Sequence, residues 1–277
     1  MTADTAARTP ASGVEAPTGS AGAFTTMSAV AVRTALKIAR SPQILGIAIV
    51  QSVLFLLMFR YVLGGAIGVG GLSYVDFLVP GFVVSGLVFT AGGGAVAVAE
   101  EAASGLYDRL RSLPVPSVAV LAGRAVTDAA LMLVVALVTL AVGFAVGFRT
   151  GAGPLTWLAA LALLIAYAVA LSAVFVWLGL VSGSAQAAQG LGILGVPFSF
   201  LSSAFVPVDT MPGVLQAFAN WQPLTFMVNA WRGLLLGDDI LASFDHGLAF
   251  YVVGSLLWSA ALLAVAAPLV LRAYRKD

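Results

Sequence analysis

The sequence has no cysteine, which excludes disulfides, thiolate-held metals and cysteine nucleophiles together. Its one histidine, His246, argues against a histidine-cluster metal site or a histidine-based triad within one chain. There are two lysines, Lys37 and Lys276, and neither closes a glycine-rich loop, so no Walker-type nucleotide site can be assembled. Charge of either sign is scarce: 9% of residues are Asp, Glu, Lys or Arg, against about 25% in a soluble domain. So little charge cannot clothe a water-facing surface, and with 61% hydrophobic residues most of the exterior must face lipid. A formal net charge of +1 offers no concentrated basic patch for nucleic acid. The composition is that of an integral membrane protein.

What the chain does have is a series of long apolar runs. Residues 1–23 are rich in Ala, Thr, Gly, Ser and Pro, lack the pattern of a secretory signal, and read as a disordered tail. Residues 24–277 read as one transmembrane domain, with spans at about 43–63, 76–98, 124–148, 155–181, 190–206 and 248–271. Ahead of the first span, Arg33, Lys37 and Arg40 recur at i, i+4 and i+7 beside Val32, Leu36 and Ala39. That pattern suits an amphipathic helix in the headgroup layer, and equally a positive flank that sets topology. Ser41-Pro42 is a good helix start, and residues 64–73, GGAIGVGGLS, form a glycine-rich turn.

Within the spans, Gly81, Ser85, Gly86 and the Gly92, Gly93, Gly94 run predict close packing or a kink. Arg124 and Asp128, four residues apart, read as a structural ion pair, with substrate handling the other reading. Pro197 predicts a kink in the middle of the fifth span. Residues 207–246 are too apolar for an ordinary loop. Pro212, Pro223 and Gly237 nonetheless break them into pieces too short to cross about 30 Å of hydrocarbon. The pieces 212–220 and 223–236 read as a re-entrant or interfacial helical pair. Thr225, Asn229 and Arg232 form a polar stripe on the second piece that must pack against protein. Trp221 and Trp231 fit the interfacial aromatic belt, and Asp238, Asp239, Asp245 and His246 read as a polar rim or a weak cation site.

The most charged interior stretch is 99–116, AEEAASGLYDRLRSLPVP, lying between two apolar runs and so in water at one membrane face. On one continuous helix, Leu106, Leu110 and Leu113 share one side, with Glu101, Ser104, Asp108 and Arg111 opposite. Pro114 then stops the helix. The result is a short amphipathic helix, either a solvated connector or a docking element. An even number of spans puts both termini on one side, together with Arg33, Lys37, Arg40, Arg109, Arg111, Arg124, Arg272, Arg275 and Lys276. The other side receives Arg60, Arg149 and Arg232, and this bias makes the first side cytoplasmic. Glu100 and Glu101 are adjacent and point about 100° apart, which favours a solvated or docking role over acid–base chemistry. No catalytic residue is expected, and no span carries the run of carboxylates a proton relay needs. Transport would then require a partner that supplies energy through the 99–116 helix.

Glu101, Gly105, Asp108-Arg109-Leu110-Arg111, Ser112-Leu113-Pro114 and Gly123-Arg124 follow one another at characteristic intervals. In this order they resemble the signature of the daunorubicin-resistance-type membrane subunits of ABC exporters, the type-two ABC permease family. FRYVLGGAI at 59–67 and FVPVDTMPGVLQAFANWQPLTFMVNAWRGLLLG at 205–237 are similar to that family as well. The resemblance implies an all-α, polytopic permease of six transmembrane helices in a bacterial cell membrane. It implies two ATPase subunits that bind ATP and Mg, a second permease of the same or a related chain, and no cofactor in this chain.

By the same resemblance, Glu100, Glu101, Gly105, Leu106, Arg109, Leu110, Arg111, Leu113 and Pro114 belong to a coupling helix seated in the ATPase. Leu106, Leu110 and Leu113 would be its apolar anchors, and Arg109 and Arg111 its polar rim. Arg33, Lys37 and Arg40 would lie on the membrane surface. Ser85, Thr90, Ser199, Ser202 and Ser203 are candidates for the substrate path, although such hydroxyls also serve as helix–helix glue. The expected function is export of an amphiphilic drug-like, natural-product or lipid-like molecule. The rivals are a permease for a polysaccharide or lipid-linked glycan, and a lipid-modifying enzyme or membrane scaffold.

Overall fold

The computed structural model describes residues 22–40, 42–64, 73–237, 240 and 246–276. The expected tail, the Ser41 cap, most of the 64–73 turn and Asp238, Asp239 and Asp245 lie outside them. Among the described residues the fold is all-α. Helix α1 (Ala23–Ala39) is followed by α2 (Pro42–Met58), which continues into a π-helical turn at Phe59–Leu63.

Helix α3 (Tyr74–Ala103) is the axis of the molecule. The Ser73 hydroxyl caps it by accepting from the Asp76 N–H at 3.2 Å, and the Asp76 carboxylate suits the positive end of the helix dipole. At 30 residues it is about 45 Å long, well over the roughly 30 Å hydrocarbon layer. The short α4 (Leu106–Arg111) precedes α5 (Ser117–Ala145) and α6 (Pro154–Val181), whose first residue is a proline that needs no helical donor. Helices α7 (Ala185–Ile193) and α8 (Gly195–Phe200) follow, then α9 (Gly213–Trp221), α10 (Pro223–Leu236) and α11 (Leu248–Lys276). Helices α3, α5, α6 and α11 are each long and apolar enough to cross a membrane. Packed by α5, α6 and α7, α3 is buried over most of its length, whereas α11 is buried over little of it.

Three expectations change. The predicted fifth span over 190–206 is not one helix: α7 stops at Ile193, α8 at Phe200, and turns carry the chain onward. Pro197 has no N–H for an internal helical bond but fits the first turn of α8, so the helix is restarted there. Helix α3 runs past residue 98 into the charged stretch, ending at Ala103. Trp231 is not in an interfacial belt; it is 2% exposed, and its indole N–H donates to the Ala160 carbonyl at 2.7 Å.

The polar stripe of α10 faces protein. Thr225 Oγ1 accepts from the Ser203 N–H at 3.2 Å, and Asn229 Oδ1 accepts from the Ser203 hydroxyl at 2.8 Å. Arg232 is fully buried and donates to the carbonyls of Phe77, Ser203 and Ala204 at 2.9, 2.7 and 2.9 Å. Its guanidinium also stacks 3.6 Å from the Phe77 ring centroid. The loop after α8 is thereby clamped onto the start of α3. There a Cβ added at Gly81 would stand 2.0 Å from the Ala204 carbonyl oxygen. This end also holds Arg149, whose N–H donates to Asp76 Oδ1 at 3.0 Å. The opposite end of α3 holds the charged stretch.

Candidate functional site

At that opposite end four elements meet on one carboxylate. Glu101 Oε1 accepts from Lys37 Nζ of α1 at 3.0 Å. Glu101 Oε2 accepts from Arg124 Nη1 of α5 at 2.5 Å and from the Tyr107 hydroxyl of α4 at 3.4 Å. Arg124 also donates through Nε to Asp128 Oδ2 at 2.8 Å and through Nη2 to the Gly94 carbonyl at 3.3 Å. Glu101, Arg124 and Asp128 are 6%, 4% and 4% exposed, a depth at which a charge persists only with partners. Two carboxylates and two cations sum to zero. Burial pushes the Tyr107 phenol above its ordinary range, so it remains a donor to Glu101. A hydroxyl bond from Thr127 to the Ala31 carbonyl at 3.2 Å further fastens α5 to α1.

Gly105, at φ 70°, turns the chain between α3 and α4. An L side chain in that left-handed conformation costs roughly 1–2 kcal/mol, which is why glycine serves there. Beyond it, Tyr107 is buried in a cluster with Val98, Val120, Leu121, Val176, Val270 and Tyr274. Its ring meets Tyr274 edge-on at 5.7 Å. Leu110 packs against the same cluster. Arg111 bonds Asp108 at 3.0 Å and lies over the Tyr274 ring at 5.4 Å.

The single amphipathic helix expected over 99–116 is therefore two helical pieces, and its wheel does not apply, because Gly105 resets the phase. Glu101 is buried in an ionic junction rather than on a solvated side. Leu110 faces the protein, and Arg111 rests on Tyr274 rather than on a free rim. What α4 and its turn leave exposed is Asp108, Arg109, Ser112, Leu113 and Pro114, with Leu106 half-buried. Glu100 is exposed on α3, before the turn.

Residues 25–236, which include this junction and the α10 clamp, match the family described as ABC-2 type transporter. The chain belongs to that family. It is 33% identical over 230 residues to the daunorubicin resistance ABC transporter permease protein DrrB1 of Streptomyces coeruleorubidus, covering 82% of this chain and 78% of that relative. It is 28% identical over 234 residues to the probable doxorubicin resistance ABC transporter permease protein DrrC of Mycobacterium tuberculosis, covering 83% of this chain and 80% of that one. The resemblance carried by residues 100–128 and the longer motifs is thus a family relationship along most of the chain.

In this ABC-2 permease the remaining candidate residues are placed as follows. Arg33 and Arg40 are exposed on or just after α1, whereas Lys37 is drawn to Glu101. Val32 and Leu36 of α1 are exposed, leaving an apolar strip beside the two arginines. The Thr90 hydroxyl donates to the Gly86 carbonyl at 2.7 Å, Ser199 to Gly195 at 2.9 Å and Ser202 to Ser199 at 2.6 Å. Ser85 is fully buried in α3, and Ser203 belongs to the α10 clamp. The hydroxyls of Thr90, Ser199 and Ser202 thus serve helix backbone and that of Ser203 serves packing, whereas the Ser85 hydroxyl is buried without a hydrogen-bond partner among the described residues. Sequence reasoning found the Arg124–Asp128 pair but missed Glu101 and Lys37 as its partners, 23 and 64 residues distant from Arg124 and Glu101 respectively.

Proposed function

We propose that this permease is the membrane subunit of an ATP-driven exporter that moves amphiphilic, drug-like or lipid-like molecules out of the cytoplasm or inner leaflet. ATP and Mg are bound by two copies of a separate ATPase chain, and a second permease, identical or related, completes the assembly. Six crossings are made by α2 with its π-turn, α3, α5, α6, the bent α7–α8 pair and α11. Helices α9 and α10 form a re-entrant pair on the outer side. Both termini and α4 lie in the cytoplasm of a bacterial cell, and α1 rests on the inner membrane surface.

The observation that carries the reading is the junction on Glu101. It joins α1, α3 and α5 one turn away from the exposed surface of α4, and Tyr107 links that surface to it. A push on Asp108, Arg109, Leu113 and Pro114 by a moving ATPase reaches three helices through one buried carboxylate. Rigid-body motion of packed helices then follows from small displacements at the contact. The names of the two relatives support a drug-like cargo.

The test is reconstitution with the ATPase subunit. Replacing the exposed residues, Arg109→Glu with Leu113→Asp, should lower substrate-stimulated hydrolysis and export at least several-fold without changing the melting temperature. Leu110→Asp should lower both, because Leu110 packs into the Tyr107 cluster. Full export by the Arg109→Glu/Leu113→Asp variant would remove α4 as the lever.

A further inference from the structure

Away from the coupling scheme, a slot of about 260 Å³ opens between α5 and α6, toward the end of the bundle opposite the ionic junction. It is more than a crease in a lipid-facing surface. Its floor is made by Val83 of α3, Ala136 of α5, Leu164 of α6 and Trp231 of α10, none more than 2% exposed. Its lips, Leu137 and Leu158, are 51% and 64% exposed. The slot therefore reaches the core of the bundle from outside. Its wall follows α6 from Pro154, the first residue of that helix, to Leu164, ten residues or about 15 Å. That is half of the roughly 30 Å hydrocarbon layer, the depth of one leaflet and hence of one acyl chain. The lining is apolar: the Trp231 N–H is spent on the Ala160 carbonyl, and the other indole, Trp157, lies near the mouth, where such a ring suits the interface. Water would find no set of partners in such a lining, whereas a hydrocarbon chain restores its missing contacts.

A cation stands at the mouth. Arg149 lies in the turn between α5 and α6, five residues before Pro154, and it is exposed. It donates through Nη1 to the carbonyls of Phe144 and Phe148 at 2.9 and 2.7 Å, and the Phe144 ring is 6.2 Å from the Trp157 ring. Among the described residues nothing accepts from its Nε or Nη2. The acid at this turn, Asp76, accepts from the Ser73 hydroxyl at 2.8 Å and from the Arg149 backbone N–H at 3.0 Å, and makes no ion pair with the guanidinium. An arginine at the water end of a leaflet-deep apolar slot complements a phosphate carried on an acyl chain.

We propose that this slot holds one acyl chain of a membrane phospholipid, with the lipid phosphate at Arg149, as a resident lipid that seals the α5–α6 seam over α3 and α10. The slot ends at Leu164, near the middle of the bilayer, so it is a berth and not a path across. The lipid is a constituent of the folded protein, and its binding is independent of the exporter reading.

The full chain, purified in detergent and stripped of lipid, is titrated with dioleoyl phosphatidylglycerol and with dioleoylglycerol, which has the same chains and no phosphate. Bound lipid is counted by native mass spectrometry, and melting is followed by tryptophan fluorescence. The wild type should form a one-to-one complex with the phosphatidylglycerol and melt higher in its presence, by mass action. It should bind that lipid about fivefold more tightly than the diacylglycerol, as expected for one cation near the membrane surface. Arg149→Gln should abolish the preference, and Arg149→Lys should keep most of it. Leu161→Trp, at a half-buried lining position, puts a ring where the chain would lie. It should lose both the bound lipid and the lipid-dependent rise in melting, with circular dichroism unchanged. Should that variant fail to fold, the two Arg149 variants decide alone. Equal binding of the two lipids by the wild type, a preference that survives Arg149→Gln, lipid retained by folded Leu161→Trp, or no one-to-one lipid on the folded wild type would each overturn the proposal.

Discussion

Replacing Glu101 by alanine removes the carboxylate that α1, α4 and α5 share. Arg124 would keep Asp128 and the Gly94 carbonyl, but its Nη1 would lose a partner at 2.5 Å inside a site 4% exposed. Lys37 would be released altogether, and the junction would change from neutral to one net positive charge. Breaking a buried ion pair from one side costs about 3–5 kcal/mol, and the surviving Asp128 contact puts this case near 3 kcal/mol. For a chain of this size that corresponds to a fall in melting temperature of roughly 6–12 °C.

The comparison that isolates burial as the cause is Lys37→Ala. It breaks the same pair from the side whose side chain is 46% exposed, where ion pairs contribute about 0–1 kcal/mol. The fall there should be no more than about 2–4 °C. Tryptophan fluorescence of the detergent-purified protein follows unfolding without a label, since the chain has five tryptophans. The double variant should melt close to Glu101→Ala alone, because the lysine has nothing left to hold. Equal shifts for the two single variants would refute the argument, as would a Glu101→Ala shift no larger than that of a surface charge.

Gly81→Ala should be strongly destabilising, because its Cβ would meet the Ala204 carbonyl oxygen at 2.0 Å, whereas Gly93→Ala, with open space around it, should melt like the wild type. Arg232→Met should leave the carbonyls of Phe77, Ser203 and Ala204 without their donor, costing about 3 kcal/mol or more. In this cysteine-free chain a Ser203→Cys probe should then react faster with a maleimide in the Arg232→Met background; an unchanged rate would mean the clamp is not what holds that loop. Gly105→Ala should cost about 1–2 kcal/mol through its positive φ and reduce substrate-stimulated ATP hydrolysis by the complex, a loss that Gly105→Asn should partly restore.

Much of the local structure was legible beforehand, for local reasons. The polar stripe of Thr225, Asn229 and Arg232 had to face protein because lipid offers no hydrogen bonds, and its partners are the Ser203–Ala204 loop and Phe77. The two short helices after residue 212 were announced by their prolines. Arg124 and Asp128 were paired by their spacing alone. The fifth apolar stretch was misjudged as one continuous helix because hydropathy measures how greasy a segment is, and not whether its backbone stays helical through Leu194, three residues before Pro197, or beyond Phe200.

By itself the sequence determined the solvent of this protein, the positions of its long apolar helices and its family, since composition, short-range period and motif order are properties of the chain as a string. Tertiary structure alone decided which side of the 99–116 stretch faces inward. A single left-handed residue, Gly105, rotates everything after it, and no periodic pattern records that rotation. It also decided that Glu101 serves as the common partner of Lys37, Tyr107 and Arg124. A buried charge takes whatever opposite charge packing brings within reach, and here packing brings in groups that lie far apart along the chain.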